Sequence, residues 1–353
     1  MIGLGFVGAG MIGQLAHISN FADLPGCEVR AIAELRVELG RQVAKRFNIG
    51  KVYPSHKDLL NDPAIDAVVV VTRRPATGPI VRDALHAGKH VLSEKPMAPT
   101  RDLAQSLVDA ASDAGRKYAV GFMKRHDAGV QRAKRLVDEF IASGELGRIV
   151  LMRAFCFGGE FLVGGAGFAM TEETRPVGLE LWPEAPDWLP QTMAKDYAWF
   201  LNVFVHDLNL LRFFAGKTPQ VSAVDLQRPN GRLVLLDFGD FAGVLEMAEV
   251  EFHEWQEGIE ILFEKGRLRV DLPPPLLLNV PARIELTYAG KRIDTVKPQV
   301  PWSWSFRRQA EAFLADIADD REPIASGRDS LEDMFLAEEI WRRHLGQLEF
   351  TRP

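Results

Sequence analysis

The sequence predicts an α/β protein, with a doubly wound parallel sheet in the N-terminal third and an α+β domain with an open, mostly antiparallel sheet behind it. Three observations carry this. Short apolar runs alternate with helical patterns as far as residue 122. A glycine-rich turn joins the first run to the first helix. From Arg232 onward, closely spaced short runs are separated by turn dipeptides such as Asn230-Gly231 and Lys265-Gly266. Length agrees, since 353 residues amount to two domains at roughly 150 each, placed at 1–122 and 123–353.

The elements follow in order. Residues 2–7 read as a strand, 11–21 as a helix, 28–33 as a strand and 37–47 as a helix. Residues 67–72 hold four consecutive valines, Val68 to Val71, the pattern of a strand buried on both faces. Further strands are expected at 90–93 and 118–122, with a helix at 103–114 whose apolar residues recur at helical spacing. In the second domain 131–141 reads as a helix and 149–157 as a strand. Residues 158–190, rich in Gly, Pro and Trp, have no period and are too long for an ordinary connection; they form a functional lid or are loosely ordered. Residues 200–214 read as one apolar helix containing His206. Strands are expected at 232–238, 242–250, 258–263, 267–270 and 283–288, with a further turn at Ala289-Gly290. Two helices close the chain and pack on either domain. One places Phe306, Ala310, Phe313 and Ile317 on one face, and the other starts at a Ser330-x-x-Asp333 cap.

Composition excludes several classes. The chain is 47% hydrophobic and 25% charged, with 42 Lys+Arg against 48 Asp+Glu, a formal net charge of −6. It has neither the basic excess nor the basic stripe of a nucleic-acid binder. No run approaches the roughly 20 apolar residues of a membrane span. Two cysteines, Cys27 and Cys156, are too few for a disulfide framework; they read as small core residues and suit a reducing, cytoplasmic compartment. His253-Glu254 lacks the second histidine of a zinc helix, so no metal is expected.

Two glycine triplets overlap at the N-terminus, Gly3-x-Gly5-x-x-Gly8 and Gly8-x-Gly10-x-x-Gly13. Only the second leaves a full strand before the turn. In that register Gly8, Gly10 and Gly13 let the backbone approach a pyrophosphate, while Met11 and Ile12 open a helix whose N-terminus supplies N–H donors. Glu34 ends the second strand, 21 positions after Gly13. A carboxylate there accepts hydrogen bonds from a ribose diol and repels a 2′-phosphate, which favours NAD. Arg36, two residues on, can neutralise a phosphate, so NADP stays open. Glu94-Lys95-Pro96 follows the strand 90–93, and in an open parallel sheet ligands bind beyond such strand ends.

Gly8–Gly13 with His17, Ala87-Gly88-Lys89-His90-Val91 and Glu94-Lys95-Pro96 together resemble the glucose–fructose oxidoreductase/inositol dehydrogenase family, Gfo/Idh/MocA. Phe122-Met123-Lys124-Arg125, Ser143-Gly144-Glu145-Leu146-Gly147 and His206-Asp207 are similar to its later motifs. The resemblance implies a nicotinamide-binding Rossmann domain plus an α/β domain whose open sheet makes subunit contacts, in a homodimer or homotetramer. It implies that Lys95 contacts substrate and nicotinamide ribose, and that His206 is the acid/base. The family places an Asp four residues before that histidine; here it is Asn202, which can hold a hydroxyl but cannot exchange a proton at neutral pH. Asp207 is then a possible helper. Thr72 matches the family, whereas Arg73 and Thr77 replace its usual Pro and His; Arg73 and Arg74 bring positive charge towards the cofactor or an anionic substrate.

The activity so implied is NAD(P)-dependent hydride transfer to or from a secondary alcohol of a sugar, cyclitol or sugar derivative. Two alternatives stay open: a glycosidase or lyase that oxidises the sugar transiently, and a non-catalytic nucleotide sensor. Trp182, Trp188, Tyr197 and Trp199 can stack on a sugar face or pack their own loop. Arg125, Tyr197 and Asp207 are the remaining candidate substrate contacts, with Arg125 and His126 following a strand end.

Overall fold

The structure, a computed structural model, describes residues 1–163, 167–228, 230–251, 253–289 and 293–350. Gly290, half of one expected turn, and residues 164–166 of the long unpatterned segment lie outside the described residues. The backbone divides into two compact units. Unit 1 comprises Met1–Phe122, Gly165–Leu201 and Phe306–Met334; unit 2 comprises Met123–Gly164, Asn202–Ser305 and Phe335–Pro353. Residues 165–201 and 306–334, read from sequence with the second domain, thus cluster with the first.

Unit 1 is built on six parallel strands: β1 (Ile2–Val7), β2 (Cys27–Ala33), β3 (Lys51–Tyr53), β4 (Ala67–Val70), β5 (His90–Ser93) and β6 (Tyr118–Val120). They lie in the order β3-β2-β1-β4-β5-β6. This is the doubly wound order, and its direction reverses between β1 and β4. Every residue of β4 is fully buried, as its uninterrupted valines require. The helix expected at 11–21 is present, wound as a π-turn over Gly13–Ile18 and then as α1 (Ser19–Phe21). Next come α2 (Val37–Arg46), α3 (His56–Leu60), α4 (Arg74–His86) and α5 (Arg101–Ala114). Thr100 caps α5 by accepting from the Leu103 N–H at 3.3 Å, and Gly115, at φ 59°, ends it. α9 (Ser305–Ala318) inserts Ala310, Phe313 and Leu314 into the core of the parallel sheet, where Phe313 meets Phe21 edge-on at 6.5 Å.

Unit 2 carries an eight-stranded sheet of β7 (Ile149–Gly158), β8 (Gln220–Asp225), β9 (Gly231–Asp237), β10 (Ala242–Ala248), β11 (Gln256–Phe263), β12 (Gly266–Asp271), β13 (Arg283–Tyr288) and β14 (Asp294–Val296). The order is β14-β13-β12-β11-β7-β10-β9-β8, and β7–β10 is its parallel pair among antiparallel ones. α6 (Ala128–Ser143) and α8 (Val205–Ala215) pack against this sheet. On β9, Val234 and Leu236 are buried while Leu233 and Leu235 remain 47% and 46% exposed, so the opposite face keeps apolar side chains in solvent. Arg153 bonds Glu246 at 2.7 Å and Arg267 bonds Glu285 at 2.9 Å on the partly exposed side chains of the same sheet.

Two sequence expectations are corrected. The helix expected at 200–214 is two helices, α7 (Ala194–Asn202) and α8, parted at Val203–Phe204. Apolar residues run straight through Val203–Val205, so the periodicity marks no break, and Phe204 starts α8 by accepting from the Asp207 and Leu208 N–H groups. The last helix, α10 (Gly327–Phe350), begins ahead of the expected Ser330 cap. Ser326 Oγ accepts from the Asp329 N–H at 3.3 Å, placing the capping pair one turn earlier.

Candidate active site

The C-terminal ends of β1, β2 and β4 open on a cleft of about 270 Å³, lined by Gly8, Gly10, Met11, Ile12, Gly13, Glu34, Thr72 and Arg73. Gly8 adopts φ +95°, and a Cβ there would sit 2.2 Å from the Val71 carbonyl oxygen. Only glycine fits that approach. A Cβ at Gly13 would meet the Gly8 carbonyl at 3.1 Å, whereas one at Gly10 would meet nothing within 4 Å. The turn is therefore tight where it contacts its own backbone and open where it faces the cleft. That cradle fits a dinucleotide pyrophosphate at a helix N-terminus. Gly3 and Gly5 lie within β1, each against a close neighbour, so the first glycine triplet is a packing feature.

Glu34 stands at the end of β2, 6% exposed. Its Oε2 accepts from Ala9 N at 2.9 Å and Arg36 Nη2 at 3.2 Å; its Oε1 accepts from Arg36 N at 3.1 Å and Arg36 Nε at 2.9 Å. Four donors fill the roughly four acceptor positions of a carboxylate. Of the two neighbouring arginines after β4, Arg73 lines the cleft, but Arg74 donates to the Ala198 carbonyl and does not.

Glu94 and Lys95 follow β5 and are not part of that lining. Glu94 Oε1 pairs with His17 Nε2 at 2.7 Å, and its Oε2 accepts from the Lys95 N–H at 3.2 Å. Burial alone would raise the Glu94 carboxyl, but His17 and the adjoining Lys95 outweigh it and hold the group below its ordinary value. The carboxylate therefore fixes the backbone from which Lys95 projects.

The unpatterned segment is ordered by unit 1. Gln14 clamps Ala169 at both ends of its amide, donating to the Ala169 carbonyl at 3.0 Å and accepting from its N–H at 2.8 Å. Glu173 caps the start of α2 by accepting from Glu38 N at 3.1 Å and Leu39 N at 3.0 Å. Arg82 holds Glu180 through two bonds, at 2.9 and 2.7 Å. Trp182 lies on α4, where a Cβ at Gly78 would sit 2.0 Å from its ring. These bonds anchor the described part of the segment to unit 1, and it adds Arg175 and Leu179 to the cleft lining. Tyr197 is fully buried and its hydroxyl donates to the Pro99 carbonyl at 2.8 Å.

In unit 2, His206 and Asp207 occupy the first turn of α8, and the helix break separates them from Asn202, the last residue of α7. Arg125, 2% exposed, donates through Nε to Asn209 Oδ1 at 2.6 Å and lies over the Phe213 ring. The side-chain cluster around Asp207 was not evident in the sequence. Lys124 Nζ pairs with Glu257, which also accepts from Trp255 Nε1 at 3.0 Å. Donor atoms of Cys156, Asp207 and Glu257 lie within 4.8 Å of one another, and the cation among them is Lys124. Both Asp207 oxygens lack a hydrogen-bond partner among the described residues. Burial pushes its carboxyl up to about 7, against the opposing charge of Lys124. Burial likewise lowers Lys124 and lifts the Cys156 thiol to about 12, which makes that thiol an inert core group. No helix among the described residues is long and apolar enough to cross a membrane.

Residues 2–122 match the family model described as the oxidoreductase family with an NAD-binding Rossmann fold. The chain is 28% identical over 288 residues to an inositol 2-dehydrogenase of Rubrobacter xylanophilus, covering 78% of this chain and 72% of the relative. It is 35% identical over 157 residues to an inositol 2-dehydrogenase/D-chiro-inositol 3-dehydrogenase of Lacticaseibacillus casei, 44% of each chain. Its backbone matches levoglucosan dehydrogenase, solved with NADH and levoglucosan, at a TM-score of 0.77 with 18% identity over 98% of both chains. With the doubly wound order and the open glycine cradle already in place, residues 2–122 are a Gfo/Idh/MocA-type NAD-binding Rossmann domain, and the chain as a whole is similar to dehydrogenases of that kind.

Proposed function

We propose that the protein transfers a hydride between a nicotinamide dinucleotide and a secondary alcohol of a sugar, cyclitol or sugar derivative. The observation that carries this reading is the open cradle at Gly8–Gly13, in a chain whose first 122 residues match the NAD-binding oxidoreductase model and whose similar proteins include inositol 2-dehydrogenases. Gly8, Gly10, Met11, Ile12 and Gly13 would hold the pyrophosphate, with Thr72 and Arg73 along the same cleft. The bound dinucleotide supplies the hydride acceptor or donor.

Lys95, its backbone fixed by Glu94, polarises the substrate oxygen through its ammonium group. The His206 imidazole takes the hydroxyl proton during oxidation and returns it during reduction, since a neutral imidazole nitrogen accepts a proton and the imidazolium donates it back. Asn202 offers a hydrogen bond to a substrate hydroxyl without exchanging a proton. Asp207, protonated near neutrality, is a proton reserve adjoining His206. Arg125 and Tyr197 position neighbouring backbone and helix rather than meet substrate, because both are buried in protein contacts. We place the protein in the cytoplasm, consistent with its two free thiols, and assign it a homodimer or homotetramer through the open face of the large sheet, where Leu233 and Leu235 are exposed.

The test is the reduced-nicotinamide absorbance of purified protein with either dinucleotide and a panel of cyclitols, sugars, sugar acids and sugar phosphates. Appearance of the band with a polyol, and its absence with Lys95→Ala, supports the reading. Dinucleotide binding with silence across the panel contradicts it.

A further inference from the structure

The segment 167–184 bears on which dinucleotide the cleft takes. Three guanidiniums line the cleft, those of Arg36, Arg73 and Arg175, and Glu34 is the single acidic residue in that lining. Arg36 is consumed by Glu34. Arg73 and Arg175 have no salt-bridge carboxylate among the described residues. Glu34, in turn, has its acceptor positions filled by Ala9 and Arg36. The carboxylate at the ribose position is thus neutralised from within, and two cationic charges remain beside it.

We infer that Arg175, carried into the cleft by the segment that Gln14, Glu173 and Arg82 tie down, is a specificity-determining residue that receives the 2′-phosphate of NADP together with Arg73. This rests on the proposed dinucleotide reading. A phosphomonoester carries nearly two negative charges, matching the two unpaired guanidiniums, and guanidinium forks hold phosphate in two-point contacts. Arg175 is itself exposed at the cleft edge, and the charges of Arg36 and Arg73 lower its affinity for its own proton while Glu34 raises it, secondary to burial. An anion at this point relieves a repulsion already present in the protein. The strap's anchors explain why a residue 141 positions beyond Glu34 reaches this pocket: Ala169 is held by Gln14 and Glu173 sits on the start of α2.

The test is calorimetric binding of NADP, NAD, 2′,5′-ADP and 5′-ADP to the full-length protein, wild type and Arg175→Ala, at low salt. The inference expects 2′,5′-ADP to bind about 10-fold more tightly than 5′-ADP, and Arg175→Ala to weaken NADP and 2′,5′-ADP by about 10-fold while NAD stays within about twofold. Arg175→Glu, at an exposed position that folding does not depend on, enlarges the same loss for the same ligands. Equal losses for NAD and NADP, or no preference for 2′,5′-ADP, overturn the inference. Binding of NAD with exclusion of NADP overturns it and leaves the proposed function standing. Failure of both dinucleotides to bind sinks the proposed function, and the inference with it.

Discussion

Asp207 offers the most quantitative test of the unit 2 cluster. Its carboxyl is buried without a hydrogen-bond partner among the described residues, and burial moves it from an ordinary 3.8 up to about 7. In the unfolded chain the group loses its proton near its ordinary value. Between those two points the folded state binds one proton more than the unfolded state, so stability falls as pH rises through the window and the full penalty stands above it. A shift of about 3 units corresponds to about 4 kcal/mol, reduced by whatever the attraction of Lys124 returns on ionisation. Asp207→Asn keeps the shape and cannot ionise. It should match the wild type near pH 4 and exceed it by about 2–4 kcal/mol near pH 8, read from urea midpoints with m-values held in common. A difference that does not change with pH would mean that Asp207 does not titrate with folding. A wild type that gains on the variant as pH rises would reverse the assigned shift, because ionised Asp207 would then be net stabilising through Lys124.

Lys95→Ala should lower turnover by about 10²–10⁴ while dinucleotide affinity, measured by calorimetry, changes by less than about threefold; undiminished turnover would remove Lys95 from the chemistry. Gly8→Ala forces a side chain to φ +95° and to 2.2 Å from the Val71 carbonyl oxygen. It should destabilise the protein by about 1–3 kcal/mol and weaken dinucleotide binding, and a variant as stable and as tightly binding as the wild type would contradict the cradle geometry.

Much of unit 1 was legible because its signals are local. The valines at 68–71 specify a doubly buried strand, and Gly8–Gly13 places a tight turn between strand and helix. The short elements β3 and α3 span 3 and 5 residues, too few to repeat a strand or helix period twice, and went unread. The break inside 200–214 was hidden because apolar residues continue across it at Val203–Val205, with no Gly or Pro to mark a boundary. At the site, Glu34 was legible as a position but not in its bonding, since Arg36 folds back on it through contacts that no motif encodes. Arg175 left no signal at all: its segment is placed by Gln14, a side chain 155 positions before Ala169. The Lys124–Glu257 pair similarly joins residues 133 apart, in a cluster assembled only when β11 lies beside β7.

The proposed reaction is direct hydride transfer from a carbinol carbon, with Lys95 and His206 managing the proton. It is tested by turnover of a cyclitol or sugar deuterated at the reacting carbon, with mass analysis of the dinucleotide. Direct transfer requires that the reduced dinucleotide accumulates and carries the deuterium, and that Lys95→Ala yields none. Consumption of the substrate with no reduced dinucleotide, or a reduced dinucleotide free of the label, would contradict it.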